Sequence, residues 1–137
     1  MHFSFKLLIL WLCSFYVYAG TCRYPIPDGG PPGYKSSYAN LDGKLIATEG
    51  KVLTIKERKT GRLVKITVPK DKFPIYSAFG GDSDTSELKL GVYAWVWYKD
   101  CQSNGAKSPS EVGYFKIYSA DPKDQPNEKS ILLGRRN

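Results

Sequence analysis

Alternating hydrophobic and polar residues dominate the chain after residue 43 and predict β-strands. Residues 44–57 are read as one long strand that Gly50 interrupts, since a glycine inside a strand often marks a bulge or a sharp bend. A turn at residues 59–61 then leads to a return strand over residues 62–68. This part of the sequence therefore predicts a strand bent at a glycine, followed by a hairpin.

The second half of the chain contains the strongest strand signal. Residues 90–99 carry apolar side chains at both even and odd positions, which predicts a central strand that is covered on both faces. Residues 114–118 alternate in the same way, and residues 130–133 predict a last short strand. The apolar segment 73–79 is read as a short helical turn or an irregular cover over the strands.

These elements predict an all-β, single-domain fold: a small barrel or half-open barrel of four to six strands. The pattern resembles an OB-fold in its strand count and in the break at Gly50. A β-sandwich is the main alternative.

The composition of the sequence divides the chain into three regions. Residues 1–19 have the layout of a signal peptide, with Lys6 before an apolar run and Ala19 at a small-residue cleavage pattern. The run is shorter than the roughly 20 residues of a spanning helix, so we expect no stable membrane span after cleavage. Residues 20–43 form an arm rich in proline and glycine, and residues 44–137 form the β domain.

Cysteine usage points to export. Once residues 1–19 are removed, Cys22 and Cys101 are the two cysteines that remain, and an exported chain is expected to join them in a disulfide. We therefore expect a periplasmic or extracellular protein. A lipoprotein attached through Cys22 is the alternative mature form, although Ala19 stands where known lipoproteins carry a branched apolar residue.

Composition argues against most familiar catalytic centres. No histidine follows residue 19, so the mature chain cannot form a Ser-His-Asp or Cys-His arrangement. Residues 82–87 alternate oxygen side chains like the start of a calcium loop, but Glu87 and Tyr93 stand where the turn glycine and the bidentate glutamate are needed. We therefore expect no enzyme activity, no metal site and no cofactor.

A basic hairpin is the first candidate binding surface. The chain carries a net charge of +7, which becomes +6 without Lys6, and nine basic residues fall within positions 44–72. Such a surface attracts an acidic protein or an anionic polymer, with nucleic acid a weaker candidate. The alternative is a solvated face whose lysines keep strand edges soluble. The predicted binding residues of this hairpin are Lys51, Lys56, Arg58, Lys59, Arg62 and Lys65.

An aromatic strand face is the second candidate. Tyr93, Trp95 and Trp97 alternate along the central strand and span roughly 13 Å. Exposed, these rings would stack on sugars or bases. Buried, they would form core packed against the disulfide, since Cys101 lies on the same face of the strand.

The sequence favours a non-enzymatic, exported binding domain that engages an acidic protein, in an inhibitor, immunity-type or envelope-accessory role. A carbohydrate or oligonucleotide binder that uses the aromatic strand face is one alternative. A purely structural envelope component is the other, in which charge and aromatic rings serve only folding and assembly.

Overall fold

Seven β-strands and one α-helix make up the regular structure of residues 21–105 and 107–134, which the computed structural model describes. The predicted signal peptide, residues 1–19, lies outside these residues. Short 3₁₀ turns follow β5 and β6. The elements are, in chain order, β1 (Leu41–Glu49), β2 (Val52–Glu57), β3 (Leu63–Thr67), β4 (Pro74–Ser77), β5 (Asp82–Asp84), β6 (Tyr93–Tyr98), β7 (Ser110–Ile117) and α1 (Glu128–Gly134).

Five strands close into a barrel in the order β1-β2-β3-β7-β6 and back to β1. Neighbouring barrel strands are antiparallel, except that β3 and β7 run parallel where Ile66 faces Ser110 and Thr67 faces Glu111. This pairing closes the sheet on itself and so protects two edges from solvent. The predicted OB-like barrel is therefore confirmed, and the described residues do not form the alternative sandwich.

The predicted long strand of residues 44–57 is wrong in one respect: it is a hairpin of two strands. Glu49 pairs with Val52, so Gly50 and Lys51 form a two-residue turn between β1 and β2. Gly50 has a φ of 60°, a left-handed conformation that glycine adopts without steric cost. The irregularity in β1 lies earlier, between Leu45 and Ala47. Strand β1 also begins at Leu41, inside the segment assigned to the arm.

Residues 74–77 and 82–84 form strands β4 and β5, so the short helical turn or irregular cover predicted for residues 73–79 is wrong. Strand β4 adds to the barrel through parallel pairing with β7, and β5 pairs antiparallel with β4 at the outside. Pro74 is the first residue of β4, a position where the missing N–H does not break a ladder. A four-residue strand is too short to give a clear alternation, which is why the sequence did not reveal it.

The C-terminal apolar run is a helix, α1, rather than the predicted short strand over residues 130–133. Asn127 precedes the helix, and its side-chain oxygen accepts a 2.9 Å hydrogen bond from the Ser130 amide. Asparagine is a preferred residue at this position, because it satisfies an amide that the helix cannot. No helix among the described residues is long and apolar enough to cross a membrane.

The two faces of β6 belong to two separate hydrophobic clusters. Alternate residues such as Ala94 and Val96 point into the barrel, where they join fully buried side chains including Leu45, Ile55 and Phe115. The other face of β6 lies outside the barrel wall. It is covered by the N-terminal arm and by α1, so the predicted central strand covered on both faces is confirmed.

Candidate functional site

The aromatic strand face is buried, so of the two alternatives that the sequence left open the structure has the core and not the exposed stacking platform. Trp95 and Trp97 are 0% exposed and Tyr93 is 4% exposed. The Trp95 indole donates a 3.2 Å hydrogen bond to the carbonyl of Ile131 in α1, and the Trp97 indole donates a 2.8 Å bond to the Ser37 carbonyl in the arm. The rings are core, because helix and arm occupy the space that a sugar or base would need.

The disulfide fastens the arm beside this aromatic cluster. Cys22 and Cys101 are bonded, with their Cα atoms 5.5 Å apart, as predicted. Cys101 is partly buried and packs against the cluster that contains Trp97, so the expected packing of rings and disulfide is confirmed. Within the arm, the Ser37 amide donates a hydrogen bond to the Arg23 carbonyl. The Asp100 amide donates a hydrogen bond to the Tyr24 hydroxyl and so ties the arm to the end of β6.

The six residues predicted for the basic hairpin do not form one surface. Lys51 lies in the turn between β1 and β2, whereas Lys56 lies near the far end of β2, roughly 17 Å away along the strand. Lys59 is exposed in the opposite turn, between β2 and β3. Arg62 and Lys65 are exposed on either side of Leu63. The residues that remain close together are therefore those at the β2–β3 end.

Arg58 is mostly buried and forms ion pairs with the buried Asp42 and the exposed Glu128, so it is not a free surface cation. Its Nε donates a 2.8 Å hydrogen bond to Oδ2 of Asp42, and one terminal nitrogen donates a 2.9 Å bond to Glu128. The Tyr93 hydroxyl donates to the same Asp42 oxygen at 2.6 Å. The Asp42 hydrogen bond raises the pKa of Arg58, and burial, followed by the Asp42 carboxylate, raises that of Tyr93. This arrangement joins β1, β6 and α1.

A groove lies between β3 and the loop that connects β6 to β7, and we call it the hairpin groove. Its volume is about 620 Å³. Arg62, Lys65 and Lys107 contribute positive charge, and Glu57 contributes negative charge. Leu63 is 63% exposed at the groove. The hairpin groove therefore combines a net positive charge with an exposed apolar side chain.

Three exposed side chains on the adjacent strands β1, β2 and β3 form a row that ends at this groove. Lys44, Lys56 and Leu63 occupy opposite positions on β1, β2 and β3, and all three are exposed. Like charges that stand directly opposite each other destabilise a sheet. The pairing of Lys44 with Lys56 is therefore unfavourable for folding, and the two ammonium groups are presented to solvent.

Sequence reasoning missed Lys107 as a groove residue. It lies 42 positions after Lys65 in the sequence, in a polar loop that gave no strand signal. The parallel pairing of β3 with β7 brings the two segments together. The presence of a lysine in the loop after the central strand was the only available signal, and it does not reveal a long-range parallel pairing.

Three tyrosines stack on the outside of the barrel. The ring of Tyr114 lies 4.9 Å from that of Tyr76 with an interplanar angle of 7°, and 6.2 Å from that of Tyr24. The rings of Trp97 and Tyr114 meet in an edge-to-face arrangement, with their centroids 5.3 Å apart. Burial raises the pKa of Tyr114 to about 12, with a smaller contribution from Tyr76.

This pKa predicts an alkaline destabilisation. An unfolded tyrosine ionises near pH 10, so the folded form holds the Tyr114 proton more tightly. The free energy of unfolding should be unaffected by this group below about pH 10 and should fall as the pH rises to about 12. Urea unfolding across this range should show a shallower decline for Tyr114→Phe than for the wild type. Equal slopes for the two proteins would contradict the assignment.

No metal-binding arrangement is present in the described part of the chain, since no group of three or more histidine, cysteine, aspartate or glutamate side chains could hold an ion. Asp84, in the segment that resembles a calcium loop, instead accepts hydrogen bonds from Ser86 and caps a 3₁₀ turn. Comparison with known proteins gives no further guide: no protein-family model, no curated protein and no solved structure matches this chain.

Proposed function

We propose that this protein is a non-enzymatic, exported binding domain whose hairpin groove engages an acidic segment of a protein partner. An inhibitor, immunity-type or envelope-accessory role fits such a domain. The observation that carries the proposal is the placement of Arg62, Lys65 and Lys107 around the exposed side chain of Leu63. The disulfide supports an oxidising, extracytoplasmic setting.

The charges favour an acidic partner. Glu57 already lies 3.7 Å from the Arg62 guanidinium, so carboxylates of the partner would mainly neutralise Lys65 and Lys107. A carboxylate near Lys44 and Lys56 would relieve the repulsion between those two ammonium groups. The positive surface would also speed encounter with such a partner, in a manner that salt weakens.

The groove favours a protein segment over a single-stranded nucleic acid. Nucleic-acid grooves of this kind combine basic residues with aromatic rings on which bases stack. Tyr98 is the only aromatic residue among the described residues that line the hairpin groove, and it is 8% exposed. An apolar partner side chain can contact Leu63, whereas a base would find no ring of useful exposure.

The test compares two triple variants of the disulfide-bonded protein. The groove variant carries Arg62→Glu, Lys65→Glu and Lys107→Glu. The matched control carries Lys89→Glu, Lys123→Glu and Lys129→Glu, exposed residues that lie outside the groove and change the net charge equally. Binding is measured against an immobilised acidic peptide containing leucine, a single-stranded oligonucleotide and a sulfated polysaccharide, at low and physiological salt.

We expect the acidic peptide to bind the wild type and the control, and the groove variant to bind it about a hundredfold more weakly. That loss corresponds to three surface ion pairs replaced by three repulsions. Circular dichroism checks that both variants fold. Equal affinity of the two variants would show that the groove is not the site, and a clear preference for the oligonucleotide would refute the protein-partner proposal.

A further inference from the structure

The opposed lysines Lys44 and Lys56 border a second cavity, which we call the helix groove. The two lysines lie on one side of it, and the start of α1 with the loop before it lies on the other. Its volume is about 360 Å³. Glu57 lines both the helix groove and the hairpin groove, so the two cavities are neighbours on the outside of the barrel. A partner seated in the hairpin groove can therefore extend to the two lysines.

The side chains of Lys44 and Lys56 are available to such a partner. Both are exposed, and neither forms an ion pair or a side-chain hydrogen bond with the described part of the chain. The two carboxylates that line the helix groove, those of Glu57 and Glu128, lie instead 3.7 Å and 2.9 Å from arginine guanidinium nitrogens. The two ammonium groups therefore face each other without a counterion among the described residues.

The register of the sheet sets the distance between these lysines and the exposed leucine of the hairpin groove. Leu63, Lys56 and Lys44 are successive cross-strand partners on β3, β2 and β1, so their side chains project from the same face. Neighbouring strands lie about 4.8 Å apart, which places the point midway between the two lysines about 7 Å from Leu63. An apolar contact and an ionic contact are thus presented at a fixed separation.

An extended peptide segment matches this separation. Each residue of an extended chain rises about 3.3 Å and alternate side chains point the same way, so residues two positions apart present side chains about 6.6 Å apart on one face. A helical segment reaches a similar separation with residues three or four positions apart. A short isolated helix is marginal in water, however, so ordering it would cost more free energy than binding an extended chain.

We propose that the protein partner presents an apolar residue and an acidic residue two positions apart in an extended segment. The apolar side chain contacts Leu63, and the carboxylate lies between Lys44 and Lys56, where it replaces a repulsion with two attractions. The spacing is the same for either direction of the peptide chain. Glu128 lines the helix groove and disfavours a further acidic residue beyond this point. This inference rests on the proposed function, because it requires the hairpin groove to bind an acidic segment.

The test uses two peptides of identical composition that differ only in spacing. The first, Ser-Glu-Ser-Leu-Ser-Glu-Ser, places a glutamate two positions from the leucine on either side. The second, Ser-Ser-Glu-Leu-Glu-Ser-Ser, places both glutamates next to the leucine, so in an extended chain they point away from its face. Acetylated and amidated ends remove the terminal charges. Fluorescence anisotropy of labelled peptides at low salt measures the affinities.

Three disulfide-bonded proteins are compared: the wild type, a lysine-pair variant and a matched control. The lysine-pair variant carries Lys44→Gln and Lys56→Gln. The control carries Lys51→Gln and Lys70→Gln, which remove the same charge from exposed positions that line neither groove. The lysine-pair variant loses a repulsion and should fold as well as the wild type, which circular dichroism checks.

We expect the wild type and the control to bind the first peptide about tenfold more tightly than the second, as two surface ion pairs would provide. The lysine-pair variant should bind both peptides alike. Equal affinity of the wild type for the two peptides, or a preference that survives in the lysine-pair variant, would overturn the inference and leave the hairpin groove as a binding site. If the wild type bound neither peptide, the inference and the proposed function would fail together.

Discussion

Replacing both cysteines, Cys22→Ser together with Cys101→Ser, is expected to lower the free energy of unfolding by about 4.5 kcal/mol. The disulfide joins residues 79 positions apart, so it greatly restricts the unfolded chain. Its loss also frees the start of the arm, which covers Trp97 through the Ser37 carbonyl. Urea unfolding monitored by tryptophan fluorescence and by far-ultraviolet circular dichroism measures the change.

The control for this prediction is the wild-type protein under a reducing agent. It should lose about as much stability as the double serine variant, because both lack the same cross-link. A loss below about 1 kcal/mol in both would show that the arm and barrel hold together without the disulfide. A large loss in the serine variant alone would assign the effect to the substitutions rather than to the bond.

Asp42→Ala is expected to lower the free energy of unfolding by about 3 kcal/mol, because it leaves a largely buried cation without its main partner. The Asp42 side chain is 7% exposed and that of Arg58 is 19% exposed. The carboxylate accepts from both Arg58 and Tyr93, so its removal strands two donors at once. One further Arg58 nitrogen is already buried without a hydrogen-bond partner among the described residues.

A double-variant cycle separates the pair from its surroundings. Tyr93→Phe removes one donor and should cost less than Asp42→Ala, about 1.5 kcal/mol. Asp42→Ala combined with Arg58→Met removes both charges and should be more stable than Asp42→Ala alone, since no unpaired cation remains. If Asp42→Ala alone unfolded with the wild-type midpoint, Arg58 would be free to act as a surface cation, as the sequence had suggested.

A site residue could be predicted from the sequence only where its surroundings come from neighbouring residues of the chain. Exposure of Arg62 and Lys65 follows from their place on a two-stranded hairpin, and the sequence indicated it. The role of Arg58 could not be predicted, because its partners Asp42 and Glu128 lie 16 and 70 positions away. A run of charged residues in the sequence does not show which of them is buried in the fold.

The prediction of secondary structure was limited in the same way, because short local patterns fit more than one conformation. The turn at Gly50 was expected to be a bend, because a glycine with positive φ serves a bulge and a tight turn equally well. Residues 130–133 were expected to form a strand, since four apolar residues fit a strand and a helix turn alike. In the structure these residues belong to α1, and Asn127 caps the start of that helix.

The sequence by itself determined the all-β class, the disulfide between Cys22 and Cys101 and the coverage of β6 on both faces, and it favoured a small barrel over a sandwich. These features depend on local alternation and on a cysteine count that left one pairing. Only the tertiary structure decided that β3 and β7 close the barrel, what covers Trp95 and Trp97, and which basic residues surround the hairpin groove. Each of these depends on contacts between segments far apart in the chain, and no local pattern of residues encodes such distances.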